Sequence, residues 1–330
     1  MSRKMLEKMD EVVRGKQKIA IAGHIRPDGD CVGSCTALYL YLKQNREAFG
    51  IEQVDVYLEP FGNEFRILPG TEDIRHTYET ELEYDLFISL DCGGLDRLGN
   101  ALKFFHTAKM TLNIDHHISN NLFALKNHVI DDSSSTCEVL FDLFEESRIT
   151  KEVAACLFVG IIHDTGVYKH ANTSQKTLKV AGSLMNKGIP FSKLIDETFY
   201  GRTYMQTQLL GRCLMESRLL LQGRVIASSI SRQVQDFYEA DHGDLDGVID
   251  QLRVTKGTEV AIFIYETLPR EYKVSLRSNG EINVSKIAVY FGGGGHVKAA
   301  GCTMHGSVPD IMNELAEQIE VQLKELKSMD

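Results

Sequence analysis

Positive charge is in short supply in this chain: 36 Lys and Arg face 46 Asp and Glu, for a formal net charge of −10 with His neutral. That balance disfavours long-range attraction to long duplex nucleic acid or to an anionic membrane, although local cations can still hold a short phosphorylated ligand. No apolar run is long enough to span a bilayer, and Met1–Asp10 mixes charge with apolar residues where a secretory signal needs a continuous apolar core. The seven cysteines, Cys31, Cys35, Cys92, Cys137, Cys156, Cys213 and Cys302, are odd in number and include no C-x-x-C pair. A secreted disulfide framework is therefore not expected, and a reducing compartment, the cytoplasm, is. Internal repeats, low-complexity tracts and long charge blocks are also missing.

What remains is ordinary globular material, 330 residues with 43% hydrophobic and 25% charged, enough for about two domains. Ile19 to Gly23, Val54 to Leu58, Leu86 to Leu90 and Met110 to Ile114 read as short buried strands, with helix-compatible stretches between several of them, such as Val32 to Lys43. This alternation predicts an α/β domain with a mostly parallel sheet covered by helices on both faces. Helices are expected from about Ser133 to Glu146 and over Val153 to His163. Past Gly188-Ile189-Pro190 the pattern changes: a helical connector through Thr207 to Leu220 leads to strands at Val225 to Ser229, Glu259 to Tyr265 and Glu271 to Leu276. The expected layout is a catalytic domain over residues 1–190, a helical linker over 191–215, and a smaller mixed α+β domain over 216–330. A terminal helix from Asp310 carries Ile311, Leu315, Ile319 and Leu323 on one face, a core stripe.

Chemistry-bearing residues follow the strands of the first domain. His24, Asp28 and Asp30 come after the first, Asp91 after the third, Asp115-His116-His117 after the fourth, and Asp164-Thr165-Gly166 closes the buried helix. In a parallel sheet these groups converge beyond the carboxyl ends of the strands. Asp28, Asp30, Asp91 and Asp164 together carry −4, so close packing would force some to protonate unless cations balance them. Two divalent ions bring +4 and leave the imidazoles as neutral ligands. A carboxylate and imidazole set without thiolate suits Mn²⁺ first, with Mg²⁺ or Co²⁺ as substitutes.

His24-Ile25-Arg26-Pro27-Asp28-Gly29-Asp30 with Gly33-Ser34, then Asp91, Asp115-His116-His117 and Asp164-Thr165-Gly166, resemble in order and spacing the four motifs of the DHH phosphoesterases. Val274-Ser275-Leu276-Arg277-Ser278, Phe291-Gly292-Gly293-Gly294-Gly295-His296 and Ala299-Ala300-Gly301 resemble the accompanying DHHA1 domain. The two-domain layout is similar to the NrnA-like bifunctional oligoribonuclease and pAp phosphatase group. The resemblance implies an active site in a cleft between the domains. One metal would sit on His24, Asp28 and Asp91, and the second on Asp30, Asp91, His116 and Asp164, with Asp91 bridging. It further implies catalytic roles for Asp91, for His117 at the scissile phosphate and for Asp115 behind a neighbouring imidazole. Arg277, Ser278, Gly293, Gly294, Gly295 and His296 would bind substrate. Two departures from the group's pattern are Cys31-Val32 after Asp30 and His163 before Asp164, and neither replaces a ligand.

The implied activity is Mn²⁺-dependent hydrolysis of short oligoribonucleotides to mononucleotides and of pAp to AMP by two-metal water activation, with activity falling as the substrate lengthens. Alternatives within the same chemistry are a phosphodiesterase for linear or cyclic dinucleotides (pApA, pGpG, c-di-AMP), a RecJ-like single-strand exonuclease and a manganese inorganic pyrophosphatase. A non-enzymatic nucleotide- or RNA-binding adaptor is the remaining one. Expected partners are short RNA, pAp or dinucleotides, without long duplex or membrane, and a homodimer is the candidate assembly. Blander readings stand beside these: Ser134, Ser135 and Thr136 as helix caps, Cys31 and Cys35 as packing residues, Lys298 as a solvated charge, and Gly292 to Gly295 as a flexible turn or a ligand loop.

Overall fold

The structure, a computed structural model, describes residues 6, 8–241 and 243–327; Met1 to Met5 and Glu7, part of the segment read above for a secretory signal, lie outside the described residues. The chain divides into two compact units, the first ending at Gly201 and the second beginning at Arg202. Among the described residues, no helix is long and apolar enough to cross a membrane.

The first unit is built on five parallel strands, β1 (Lys18–Ala22), β2 (Gln53–Tyr57), β3 (Leu86–Leu90), β4 (Thr111–Asp115) and β5 (Lys126–Val129), in the order β2-β1-β3-β4-β5. Both faces are covered, which is why β1 and β3 are largely apolar along their whole length. Ile19, Ile21, Leu86, Ile88 and Leu90 point into a core shared with the helices Gly29–Gln44, Thr136–Leu143 and Lys151–Asp164. Ala20, Ala22 and Phe87 face the other way, into an aromatic layer with Tyr57, Tyr84 and Phe104, the last from the helix Leu102–Thr107. The polar edge strand β5, Lys-Asn-His-Val, was not expected; its alternation is too weak to read without its neighbour β4.

The Gly29–Gln44 helix begins three residues earlier than its apolar pattern, because Asp28 caps it: Oδ1 accepts the N–H groups of Asp30 (3.2 Å) and Cys31 (3.1 Å). It runs tightly against the Lys151–Asp164 helix. A Cβ on Gly33 would lie 2.7 Å from the carbonyl oxygen of Cys156, and one on Gly160 would lie 2.2 Å from Cys137 Sγ and 2.6 Å from Asp30 Oδ1. These two glycines set the helix spacing that brings Asp30 to the site.

The second unit is a mixed sheet of β6 (Arg218–Leu220), β7 (Val225–Ile230), β8 (Val260–Leu268), β9 (Glu271–Ser278), β10 (Gly294–His296) and β11 (Ala299–His305), ordered β10-β11-β9-β8-β7-β6. Only β7 and β8 are parallel to each other. The helix expected over Thr207 to Leu220 instead spans Tyr204–Met215, and Arg218–Leu220 is an edge strand. That helix buries Leu209 and Cys213 with Phe263 and Leu252 on one face of the sheet. On the other face, the helix Val308–Lys327 buries Ile311, Leu315, Ile319 and Leu323, as its stripe predicts.

The glycine run is not a free turn. Gly292 follows the helix Val284–Tyr290 with φ +76°, and Gly293 and Gly295 lie against β11, where a Cβ would stand 2.2 Å from Gly301 O and 2.6 Å from Ala299 O respectively. Gly294 to His296 form an edge strand as a result.

Candidate functional site

His24 lies two residues beyond β1, Asp91 one beyond β3, Asp115 ends β4 with His116 and His117 after it, and Asp164 ends the Lys151–Asp164 helix. Because β1, β3 and β4 are neighbours, their carboxyl ends deliver these side chains to one place in the first unit. Asp91 sits at the centre, 2% exposed, with a left-handed backbone (φ +55°) unusual for a non-glycine residue.

The two oxygens of Asp91 serve different imidazoles. Its Oδ2 lies 3.4 Å from His24 Nε2, which is also 3.6 Å from Asp28 Oδ2. Its Oδ1 lies 3.6 Å from His116 Nε2, which is 3.1 Å from Asp164 Oδ2 and 4.0 Å from Asp30 Oδ2. Each ring is fixed from behind, His24 Nδ1 at 2.9 Å from the Ile25 carbonyl and His116 Nδ1 at 3.3 Å from the Ser133 carbonyl. A carbonyl only accepts, so Nδ1 carries the hydrogen and Nε2 is the atom turned toward the carboxylates.

Without a cation the cluster holds protons in its place. Burial, followed by repulsion from Asp91 and Asp164, pushes the Asp30 carboxyl well above the usual range. Burial works against a charged His116, yet its hydrogen bond with Asp164 and the fields of Asp30, Asp91 and Asp164 raise it to about 10. His24 is raised in the same way against its own burial, by Asp28 and Asp91. Burial opposes a charged Asp28 too, but His24 and the N–H groups of Cys31 and Asp30 hold it down at about 2.

The donor set fits a pair of divalent cations. Nε2 of His24 with Asp28 and Asp91 offers one set of ligand atoms, and Nε2 of His116 with Asp30, Asp91 and Asp164 a second, all oxygen and imidazole nitrogen. Donor atoms of Asp30, His116 and Asp164 lie within 4.8 Å of one another, as do those of His24, Cys31 and Asp91 and those of Asp91, His116 and His117. The Cys31 thiol, pushed far up by burial and contacting the His24 carbonyl at 3.9 Å, stays protonated there.

His117 is held differently. Its Nδ1 is 2.7 Å from Asp115 Oδ1, and Asn120 Nδ2 donates to Asp115 Oδ2 at 2.6 Å. His117 is 44% exposed, so its Nε2 edge is open while Nδ1 is committed. The hydrogen bond its Nδ1–H donates to Asp115 raises the imidazole above its ordinary value, and Asp115, despite its burial, is lowered by His117.

Two further residues join the site that the sequence does not assign to it, Thr136, expected only as a helix cap, and Arg97. Thr136 donates its hydroxyl to Asp91 Oδ1 at 3.0 Å, and its N–H and that of Cys137 bond Asp30 at 2.6 and 3.0 Å, so this helix start steadies two of the carboxylates. Ser135 is the cap of that helix. Arg97 lines a cavity of about 310 Å³ beside His24, Asp91 and His117. His163 packs its ring on Phe65 and Phe199 at 4.9 and 5.3 Å with Nε2 3.3 Å from the Thr198 hydroxyl, and burial lowers it to about 4.

In the second unit Arg277, Ala299 and His296 form one row across β9, β11 and β10 and share a face of the sheet. Arg277 Nε lies 3.6 Å from Asp250 Oδ1. Gly293, Gly294 and Gly295 run along the same edge, with Gly294 facing open space. Ser278 is not in that row; it is buried, its hydroxyl donating to the Gly280 carbonyl at 3.3 Å. Lys298 donates to the same carbonyl.

Residues 18–161 match the DHH family, N-terminal domain, and residues 222–325 match the DHHA1 domain. The chain is 31% identical over 293 residues to the bifunctional oligoribonuclease and PAP phosphatase NrnA of Thermus thermophilus, covering 87% of this chain and 84% of the relative. The chain belongs to the DHH phosphoesterase family. A second relative of the same name, from Bacillus subtilis, is 24% identical over 292 residues, with 87% of this chain and 89% of that protein covered. The fold of this DHH protein is also that of an exopolyphosphatase-related protein from Bacteroides fragilis, with a TM-score of 0.84, 24% identity and coverage of 95% and 94%. As a DHH family member the chain is a hydrolase of phosphate esters, in an α/β fold with a DHHA1 domain.

Proposed function

We propose that the protein hydrolyses short oligoribonucleotides to mononucleotides and pAp to AMP, with Mn²⁺ as its preferred ion, in the cytoplasm. The reading is carried by the division of the Asp91 oxygens between two imidazoles, 3.4 Å to His24 Nε2 and 3.6 Å to His116 Nε2, each with its own further carboxylates. The relatives in Thermus thermophilus and Bacillus subtilis, both named bifunctional oligoribonuclease and PAP phosphatase, support the substrate class. The seven thiols, all buried, suit a reducing compartment.

In this reading His24, Asp28 and Asp91 hold one cation and Asp30, Asp91, His116 and Asp164 the other. Bound there, a pair of divalent ions polarises phosphoryl oxygens and makes water nucleophilic at neutral pH. The chain supplies the rest. Thr136 and the backbone N–H groups of Thr136 and Cys137 keep the Asp91 and Asp30 carboxylates oriented. Asp115 fixes His117 with its open Nε2 edge outward and favours the imidazolium, so Nε2–H donates to a phosphoryl oxygen as negative charge builds up. In the second unit, the row of Arg277 and His296, with Gly293 to Gly295 along the same edge, is the candidate phosphate-binding surface, and the buried Ser278 takes no part in it.

A substrate panel tests this: pAp, dinucleotides, longer single-stranded RNA, pGpG, c-di-AMP and pyrophosphate, each with Mn²⁺ and with chelator, alongside Asp91→Ala. Turnover of pAp and dinucleotides that needs the ion, declines with chain length and is lost in Asp91→Ala is expected. Preference for pyrophosphate, cyclic dinucleotides or long strands would refute the substrate assignment.

A further inference from the structure

The cavity beside the cluster is lined by His24, Asp91, Gly93, Gly94, Asp96, Arg97, His117, Ser119 and Asn121. Arg97 is the permanent cation in this wall, in a site otherwise built from carboxylates and imidazoles. Among the described residues no carboxylate lies within ion-pair distance of its guanidinium; its recorded side-chain contact is Nη2 to His24 Nδ1, at 3.3 Å. Since His24 Nδ1 already faces the Ile25 carbonyl at 2.9 Å, that contact leaves the guanidinium donors largely unspent. The backbone here is pinned: the Arg97 carbonyl accepts the Ile25 N–H at 2.8 Å and the Arg97 N–H bonds Gly94 O at 3.1 Å, tying the loop after β3 to the loop after β1. Ser119 and Asn121 add a hydroxyl and a carboxamide from the loop after β4, and Asn121 is anchored through its N–H to Gly93 O at 3.1 Å.

Such a wall has a definite chemistry. A half-buried arginine with free donors, next to a serine and an asparagine, recognises phosphate oxygens, and a volume of about 310 Å³ is at the small end of ligand pockets. We propose that Arg97, with Ser119 and Asn121, binds an oxygen of the substrate phosphate and seats one sugar–phosphate unit on the His24 side of the cluster. Arg97 is thus a substrate-binding residue, separate from the Arg277 and His296 row. The assignment rests on the phosphoesterase reading for its ligand class, but not on which nucleotide is turned over.

The test reads binding as well as turnover. Full-length wild type, Arg97→Lys and Arg97→Gln are loaded with Mn²⁺, and the affinity for AMP and for inorganic phosphate is measured by calorimetry. Binding of Mn²⁺ alone is measured in parallel, and KM and kcat are determined on pAp. Arg97→Gln should weaken AMP and phosphate about ten- to hundredfold and raise KM by a similar factor, with Arg97→Lys in between and Mn²⁺ affinity unchanged. Ligand affinities within twofold of wild type overturn the proposal. A loss that follows reduced Mn²⁺ affinity also overturns it, because Arg97 would then act only by positioning His24. If wild type turns over neither pAp nor a dinucleotide, the functional reading fails, while weakened phosphate binding in Arg97→Gln still upholds the pocket.

Discussion

Asp115 and His117, two residues apart at the end of β4, face each other at 2.7 Å, and Asn120 anchors the far oxygen of the carboxylate. The pair fixes both the tautomer and the direction of the exposed ring.

Asp115→Asn should therefore lower the His117 titration midpoint, since the hydrogen bond that His117 donates to the Asp115 carboxylate is what raises it. Activity should fall about ten- to hundredfold with the ion content intact. Imidazole proton NMR on the metal-free protein and steady-state rates check this; an unmoved His117 midpoint would show that Asp115 does not control the ring.

Loading the site must expel protons. His24 and His116 titrate above neutrality in the empty cluster, so they carry protons at neutral pH that a divalent ion displaces, and Asp30 is shifted in the same upward direction. Calorimetry in buffers of different ionisation heat should register net proton release, and affinity should climb from about pH 6 to about pH 8. The chelated protein should behave in the opposite sense. His116 is raised from 6.5 to about 10, so its contribution to stability is complete below 6.5 and disappears as pH rises through about 10. A flat affinity profile would contradict this.

Gly160→Ala places a methyl group 2.2 Å from Cys137 Sγ and 2.6 Å from Asp30 Oδ1. The overpacking should cost about 1–3 kcal/mol and displace Asp30, weakening ion binding. Thermal unfolding with and without Mn²⁺ measures both. An unchanged melting temperature and affinity would mean the helices separate freely.

His163 should matter for acid tolerance rather than for metal. Burial depresses it to about 4, against 6.5 when exposed. The folded chain thus keeps it neutral while the unfolded chain protonates. Its favourable contribution is present above about 6.5 and is lost as pH falls toward about 4. His163→Phe should flatten that acid limb and leave Mn²⁺ affinity as it was, as denaturant titrations at several pH values would reveal.

Much of this architecture can be read from the residues alone. β1 and β3 announce themselves because both faces of the sheet are buried, which makes each strand a largely apolar run, while in β4 Leu112 and Ile114 carry the signal. The carboxylates and imidazoles just past those runs are legible for the same reason. β5 and β10 are not, since an edge strand of Lys-Asn-His-Val or Gly-Gly-His owes its extended form to the strand it pairs with and carries no alternating or apolar pattern of its own. The site roles of Arg97 and Thr136 are hidden likewise: an arginine in a loop and a threonine expected only to cap a helix look ordinary until folding sets them against His24 and Asp91. Ser278 illustrates the converse, sitting beside Arg277 in sequence yet on the opposite side of the strand.

The groups that converge on Asp91 are drawn from positions 24 to 164 of a single chain. Synthesis runs from the N-terminus, so a nascent chain has its first imidazole long before the last carboxylate leaves the ribosome. Until then the centre lacks a wall, and a prematurely terminated product carries an incomplete ligand set.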